Sequence, residues 1–261
     1  MDGLIVNVAL TGCVHPASTP GLPVAPEEVA DDARRCWDAG ASMFHVHARD
    51  AWGNPAHGEA VYRRYIDAVR EAVPRAVVVA SCSGRHFRSF GERAGAIRAG
   101  PDMASLTVGS YNFGGQANVT EPSMIKALAF AMQTHGVVPE IECFEVGHVR
   151  HAVQLIYGGL LKPPFWFNLF LGVLPPERRY LGIMAEMLPE GALWAGAGLG
   201  RCQWDANRWA IKMGGHVRVG MEDSPWLEKG VRATNAAQVE RAVEYGRALG
   251  REPCQPWEAR P

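Results

Sequence analysis

His45 and His47 flank Val46 in the run Met43-Phe-His-Val-His47. In an extended chain a spacing of two points both imidazoles to one face. A pair placed so supplies two corners of a zinc site; the alternative is one core histidine and one that caps a loop. A second run, His216-Val-Arg-Val-Gly-Met-Glu222-Asp223, alternates in the same way. His216, Arg218, Gly220 and Glu222 share one face, and Val217, Val219 and Met221 share the other. An arginine and a glutamate turned into a core need a task, because unpaired buried charge is costly. Glu222 can complete a His2Glu set that leaves one position open for substrate. Two neutral imidazoles and one carboxylate leave a bound zinc ion net positive, and so able to polarise a carbonyl. Arg218 with Asp223 is either a hydrogen-bonded pair that tunes a base or a structural salt bridge.

Weaker signals lie elsewhere. Ser81, Ser83 and Gly84, then Ser105 and Thr107, offer hydroxyls and backbone N–H groups that suit a substrate carboxylate. Glu140 and Glu142 share one face; Glu142, nearer the strand end, can orient a ligand histidine or take a proton. Gly196-Ala-Gly-Leu-Gly200-Arg201 is either a phosphate loop or a tight turn. Cys82 and Cys143 have no histidine placed beside them by sequence and read as small buried hydrophobes. There is no GxSxG elbow and no P-loop.

Short apolar runs and helical patterns alternate along the whole chain, and these must position the residues above. The strand candidates are Leu4–Leu10, Met43–His47, Ala76–Cys82, Asp102–Thr107, Glu140–Phe144, Trp166–Leu171, Leu193–Ala197 and His216–Met221. Near-continuous apolar runs such as Val77-Val-Val-Ala80 are expected of parallel strands covered on both faces. The first helix opens at Pro26-Glu-Glu28 and closes at Gly40. Others are expected at Tyr62–Ala72, Glu92–Ala99, Pro122–Thr134, Val149–Tyr157, Glu177–Met187, Trp204–Met213 and Ala236–Leu249. Eight alternating units in 261 residues predict a single-domain α/β fold, the TIM (β/α)8 barrel, spanning 1–261 with a C-terminal extension from about 250. His15–Pro26 forms a long first loop. In this fold the active site lies at the carboxyl ends of the strands, where the polar residues above fall.

Composition bounds the function. With 26 basic and 27 acidic side chains the formal net charge is −1, which argues against nucleic acid as a partner. The most apolar stretch, Phe165 to Leu174, is too short for a bilayer, which takes about 20 residues. Six scattered cysteines without a CxxC pair read as reduced thiols in a cytoplasmic protein.

The motifs, in order, resemble the β-keto acid cleavage enzymes. They are Leu10-Thr-Gly12, Leu22-Pro-Val-Ala-Pro-Glu-Glu28, Ala39-Gly-Ala41, His45-Val-His-Ala-Arg49-Asp50, Asp102-Met-Ala-Ser-Leu106, Asn112-Phe-Gly114, Pro139-Glu-Ile-Glu142, Gly214 to Asp223 and Ala248-Leu-Gly-Arg251. The resemblance covers essentially the whole chain. It implies a zinc-dependent TIM barrel, a homotetramer, that converts a 3-oxo acid and acetyl-CoA into acetoacetate and a new acyl-CoA. It further implies His45, His47 and Glu222 as zinc ligands, and Ser81, Gly84, Ser105 and Thr107 around the substrate's carboxylate. Arg218, Asp223 and Glu142 fall around the reacting carbons, with Asp223 the candidate base. Members that act on amino-keto acids, such as 3-keto-5-aminohexanoate, carry a glutamate where Val14 stands, so a substrate without an amine is expected. Ser83 and Ser224 also depart from the family's glycine and asparagine.

Two rivals use the same residues differently. Zinc amidohydrolases are TIM barrels with an HxH strand, but place it on strand 1, with a lysine on strand 4 and histidines on strands 5 and 6; this chain has HxH on strand 2 and none of the others. A non-catalytic, metabolite-binding barrel would hold Arg218, Glu222 and the histidines as a buried polar network.

Overall fold

The computed structural model describes residues 3–258. Eight parallel strands close on themselves: β1 (Val6–Ala9), β2 (Met43–Val46), β3 (Val77–Ala80), β4 (Met103–Thr107), β5 (Val138–Cys143), β6 (Trp166–Leu171), β7 (Leu193–Gly198) and β8 (His216–Val219). Closure runs through Val217, Arg218 and Val219 of β8, which register with Val6, Asn7 and Val8 of β1. Every residue of β1, β2, β4, β6 and β8 is buried, as expected of strands covered by helices outside and side chains inside.

The helices wrap the outside: α1 (Pro26–Asp38), α2 (Glu59–Ala72), α3 (Phe90–Arg93), α4 (Gly95–Arg98), α5 (Pro122–His135), α6 (Val146–Tyr157), α7 (Arg178–Glu186), α8 (Gln203–Lys212) and α9 (Asn235–Arg247). Glu28 reaches back over the first turn of α1, accepting from the Val24 and Ala25 N–H groups at 2.8 and 3.0 Å. The main core lies between barrel and helices. A smaller core inside the barrel (Ile5, Met43, Val79, Met103, Trp166 and Ala195) plugs its amino-terminal end. The carboxyl ends of the strands are therefore where polar side chains meet space.

The barrel expected from the sequence is present, with local differences. The first strand is shorter, because Gly3–Leu4 leaves the barrel and pairs in parallel with Glu252–Pro253, bringing the chain beyond Gly250 back beneath the floor. The helix expected over Glu92–Ala99 starts earlier and is two short helices. A reciprocal cap between Ser89 and Glu92 (Ser89 N–H to Glu92 Oε2 at 2.9 Å) starts α3, and the chain turns at Ala94. Two antiparallel ribbons carry no alternating apolar pattern and were not expected. Tyr111–Phe113 pairs with Gln116–Asn118, and Trp226–Glu228 pairs with Val231–Arg232. Both follow barrel strands, β4 and β8, whose ends carry candidate site residues.

Candidate active site

His45 and Ala9 are paired neighbours at the upper ends of β2 and β1, and Glu222 follows β8. The Nε2 atoms of His45 and His47 point at one carboxylate: His47 Nε2 lies 3.2 Å from Glu222 Oε1, and His45 Nε2 lies 3.9 Å from Glu222 Oε2. One donor atom from each residue falls within 4.8 Å of the other two. Both histidines are buried, and the buried Glu222 Oε2 has no hydrogen-bond partner. A divalent cation fits this donor set: two imidazole nitrogens and a carboxylate oxygen with an unused lone pair. The Nδ1 atoms face away, His45 onto Glu140 Oε2 at 2.7 Å and His47 onto Cys13 Sγ at 3.2 Å. A second group, His45 with Glu140 and Glu142, is as compact. It is less suitable, because Glu140 already accepts from Asn7 Nδ2 on one oxygen (2.6 Å) and meets His45 with the other.

Arg218 is the hub beside these donor atoms. Its Nε donates to Asp223 Oδ2 at 2.9 Å, and its terminal nitrogens lie 3.1 Å from Glu222, 3.5 Å from Glu142 and 3.5 Å from Glu140. One guanidinium thus faces four carboxylates, a surplus of negative charge that a cation at the histidines would reduce. Burial would raise Glu140, but His45 and then Arg218 outweigh it and hold the carboxylate at about 2. Burial does prevail at Asp223 and at Glu142, raising both above the usual carboxylate range against the pull of Arg218. The Arg218 guanidinium also lies 5.1 Å over the Phe170 ring, which continues a stack through Phe144 (4.2 Å) to Tyr111 (3.8 Å).

A cavity of about 100 Å³ opens over this cluster. Val14, Ser81, His47, Glu142, Arg218, Glu222 and Asp223 line it directly. Gly84, Ser105 and Thr107 stand behind that lining. A Cβ at Gly84 would lie 2.8 Å from the Val119 carbonyl and 2.9 Å from Asn118, so the glycine lets the turn after β3 meet the first ribbon. Ser105 Oγ accepts from the Cys82 N–H at 2.9 Å, and Thr107 Oγ1 donates to Glu142 Oε2 at 2.7 Å. Glu140, rather than Glu142, is the carboxylate that orients a histidine. Cys82 and Cys143 are buried and their thiols pushed up, Cys82 to about 12, consistent with small hydrophobes. Gly196 and Gly198 are buried within β7, against α8.

Three contributors went unseen in the sequence. Cys13 meets His47. Arg49, of the His-Val-His-Ala-Arg run, donates to the Thr11 carbonyl at 2.9 Å and the Val14 carbonyl at 2.8 Å, clamping the loop that carries Cys13. Arg85 lines the cavity. The available signal for Arg49 was a charged residue two positions beyond His47, hence on the same face.

Comparison with known proteins places the chain in a family. A family model described as beta-keto acid cleavage enzyme matches residues 3–261. A 3-keto-5-aminohexanoate cleavage enzyme from Fusobacterium nucleatum is 38% identical over 264 residues, covering 100% of this chain and 97% of that protein. A 3-oxoadipate:acetyl-CoA acetyltransferase from Cupriavidus necator is 31% identical, covering 94% of this chain and 90% of the relative. Among solved structures, a binary complex of ObcA with oxaloacetate superposes with a TM-score of 0.76 at 21% identity, over 89% of this chain and 65% of that one, a likeness of fold.

Proposed function

The chain belongs to the β-keto acid cleavage enzymes, which cleave carbon–carbon bonds with acetyl-CoA as co-substrate, and on that premise we propose a zinc-dependent reaction on a 3-oxo acid whose side chain carries no amine. The observation that carries this reading is the convergence of two imidazole Nε2 atoms on the Glu222 carboxylate, whose Oε2 has no hydrogen-bond partner, beside the Arg218–Asp223 pair and open to the cavity.

His45, His47 and Glu222 would hold the ion. When bound there, zinc would supply Lewis-acid polarisation of the 3-oxo group and of the enolate that group becomes. Asp223, aligned by the Arg218 Nε at 2.9 Å, takes a proton from the carbon between the oxo and carboxylate groups. That carbon attacks the acetyl thioester and expels CoA as thiolate. The thiolate then attacks the original oxo carbon, and the bond from that carbon to the former nucleophile breaks. Asp223 returns the proton to the carbon released, so one 3-oxo acid and acetyl-CoA become acetoacetate and a new acyl-CoA. Ser81, with Gly84, Ser105 and Thr107 supporting its turn and strand, holds the carboxylate end; Thr107 and Arg218 keep Glu142 beside the reacting carbons.

Val14 offers an ammonium no counter-charge, and Arg85 in the same cavity repels one, which supports an amine-free side chain. We propose with it a cytoplasmic homotetramer, for which the exposed Trp52 and Tyr157 are candidate contact residues. No helix among the described residues is long and apolar enough to cross a membrane.

The test is acetyl-CoA consumption against a panel of 3-oxo acids, using protein of measured zinc content. Acetoacetate formed by the wild type and lost in Glu222→Ala and His45→Ala would establish the reaction. Stoichiometric zinc with no turnover of any acid would instead favour a hydrolase.

A further inference from the structure

Arg85 sits in the turn that follows β3, half-buried, and lines the same cavity as Val14. The other guanidinium on that cavity, Arg218, is committed to carboxylates of the protein, and the cavity's acids, Glu142, Glu222 and Asp223, all face it at 3.5, 3.1 and 2.9 Å. The Arg85 guanidinium has no hydrogen bond or ion pair with any described residue. Its neighbour His86 approaches the Cys13 thiol, so the turn carrying Arg85 meets the loop carrying Val14. A partly desolvated cation without a counter-charge is unfavourable, and a ligand carboxylate relieves it with a charge-assisted, bidentate contact.

We propose that Arg85 sets the specificity of this site by binding the terminal carboxylate of a dicarboxylic 3-oxo acid. The proposal rests on the function inferred above, because it takes the carboxylate next to the reacting carbon to lie at the Ser81 side. What remains for Arg85 is the far end of the substrate, facing the Val14 loop. Val14, Phe113 and Leu199 offer the intervening methylenes an apolar wall.

Two acids of equal chain length separate the possibilities: 3-oxohexanedioate, with a terminal carboxylate, and 3-oxohexanoate, with a terminal methyl. Each is assayed with acetyl-CoA on wild type, Arg85→Gln and Arg85→Lys, and its binding is read by calorimetry. Wild type is expected to favour the diacid in kcat/KM by about 30-fold, the scale of one charge-assisted hydrogen-bonded contact. Arg85→Gln should bring that ratio to within about threefold of unity, with Arg85→Lys between the two. A ratio that Arg85→Gln leaves in place overturns the proposal, as when Arg85 serves the carboxylate common to both acids. So does an effect confined to the KM for acetyl-CoA, which would assign Arg85 to a CoA phosphate. If neither acid turns over while calorimetry shows an Arg85-dependent preference for the diacid, the anion site stands and the reaction falls. If both turn over and the ratio does not move, the reaction stands and the anion site falls.

Discussion

His45 and His47 project from one strand toward one carboxylate, yet they are held by unlike partners. A histidine that offers Nε2 to a metal must carry its proton on Nδ1. For His45 that proton meets the Glu140 carboxylate at 2.7 Å; for His47 it meets the Cys13 sulfur at 3.2 Å, a longer contact to a single, softer acceptor atom. Glu140→Gln should therefore weaken zinc binding by about 10- to 100-fold, and Cys13→Ala by less, as measured by competition with a chromophoric chelator. Equal affinities for all three proteins would refute this account of the second contacts. Asp223→Asn should retain zinc while losing about 100- to 10,000-fold in kcat, the range for a positioned base; full activity in that variant would place the base elsewhere. The proposed ligands were legible in the sequence because His45 takes its direction from alternation along β2, and His47 and Glu222 lie just past the ends of β2 and β8, where the same spacing still places them at the cavity. Which glutamate meets His45 was not. From His45 the paired residues around the barrel are Val79, Met103 and Val138, so Glu140 stands two residues further along its strand than register alone would suggest. Strand tilt brings it level, and tilt leaves no mark in a sequence.

The elements that carry the site differ in how well the sequence announced them. Barrel strands and long helices were visible because apolar periodicity accumulates over many residues. The ribbon Tyr111–Phe113 with Gln116–Asn118 is three residues a side and mostly not buried, so no periodicity builds up. It nonetheless supplies Tyr111, Phe113 and Asn118 to the cavity. Cys13, Val14 and Arg85 lie on loops, whose side-chain directions follow from packing between segments distant in sequence. The first loop shows how close that packing is. Gly12 has φ of +56°, and a Cβ there would lie 2.6 Å from Glu222 Cγ. Gly12→Ala thus combines left-handed backbone strain of about 1–2 kcal/mol with a clash against the proposed ligand. Zinc stoichiometry and turnover should fall together, and the melting temperature should drop by several degrees. A variant that melts lower but binds zinc at full stoichiometry would show that Glu222 is not held from this side.

At the scale of the whole molecule, the barrel has a reactive end and a sealed one, and both contain a histidine on an inward-facing strand position. His216 lies on β8 two residues before Arg218, and the sequence put it on the same face. The structure places it at the floor, fully buried and stacked at 5.6 Å on Trp166, with its Nδ1 accepting from the Ile5 N–H at 3.1 Å. Arg251, from the returning C-terminal segment, is 3.3 Å from the same nitrogen and also donates to the Gly3 carbonyl at 2.7 Å. Burial, with Arg251 beside it, pushes His216 down to about 3. The folded protein therefore keeps His216 neutral where the unfolded chain protonates it, beginning near the ordinary value of 6.5. This contribution to stability is complete above about pH 6.5 and is lost as the pH falls toward 3. His216→Asn, whose Oδ1 can take the place of Nδ1, preserves an acceptor for Ile5 and removes the titration. Its free energy of unfolding should lie below that of wild type at pH 8. The gap should narrow as the pH falls, by at most about 1.4 kcal/mol per unit between pH 6.5 and 4. Denaturant melts of both proteins across that range, at one protein concentration, supply the comparison. Two curves that stay parallel would mean that His216 does not titrate differently on folding. The floor would then owe its acid sensitivity to other groups, while the proposal for the cavity end would be unaffected by the result.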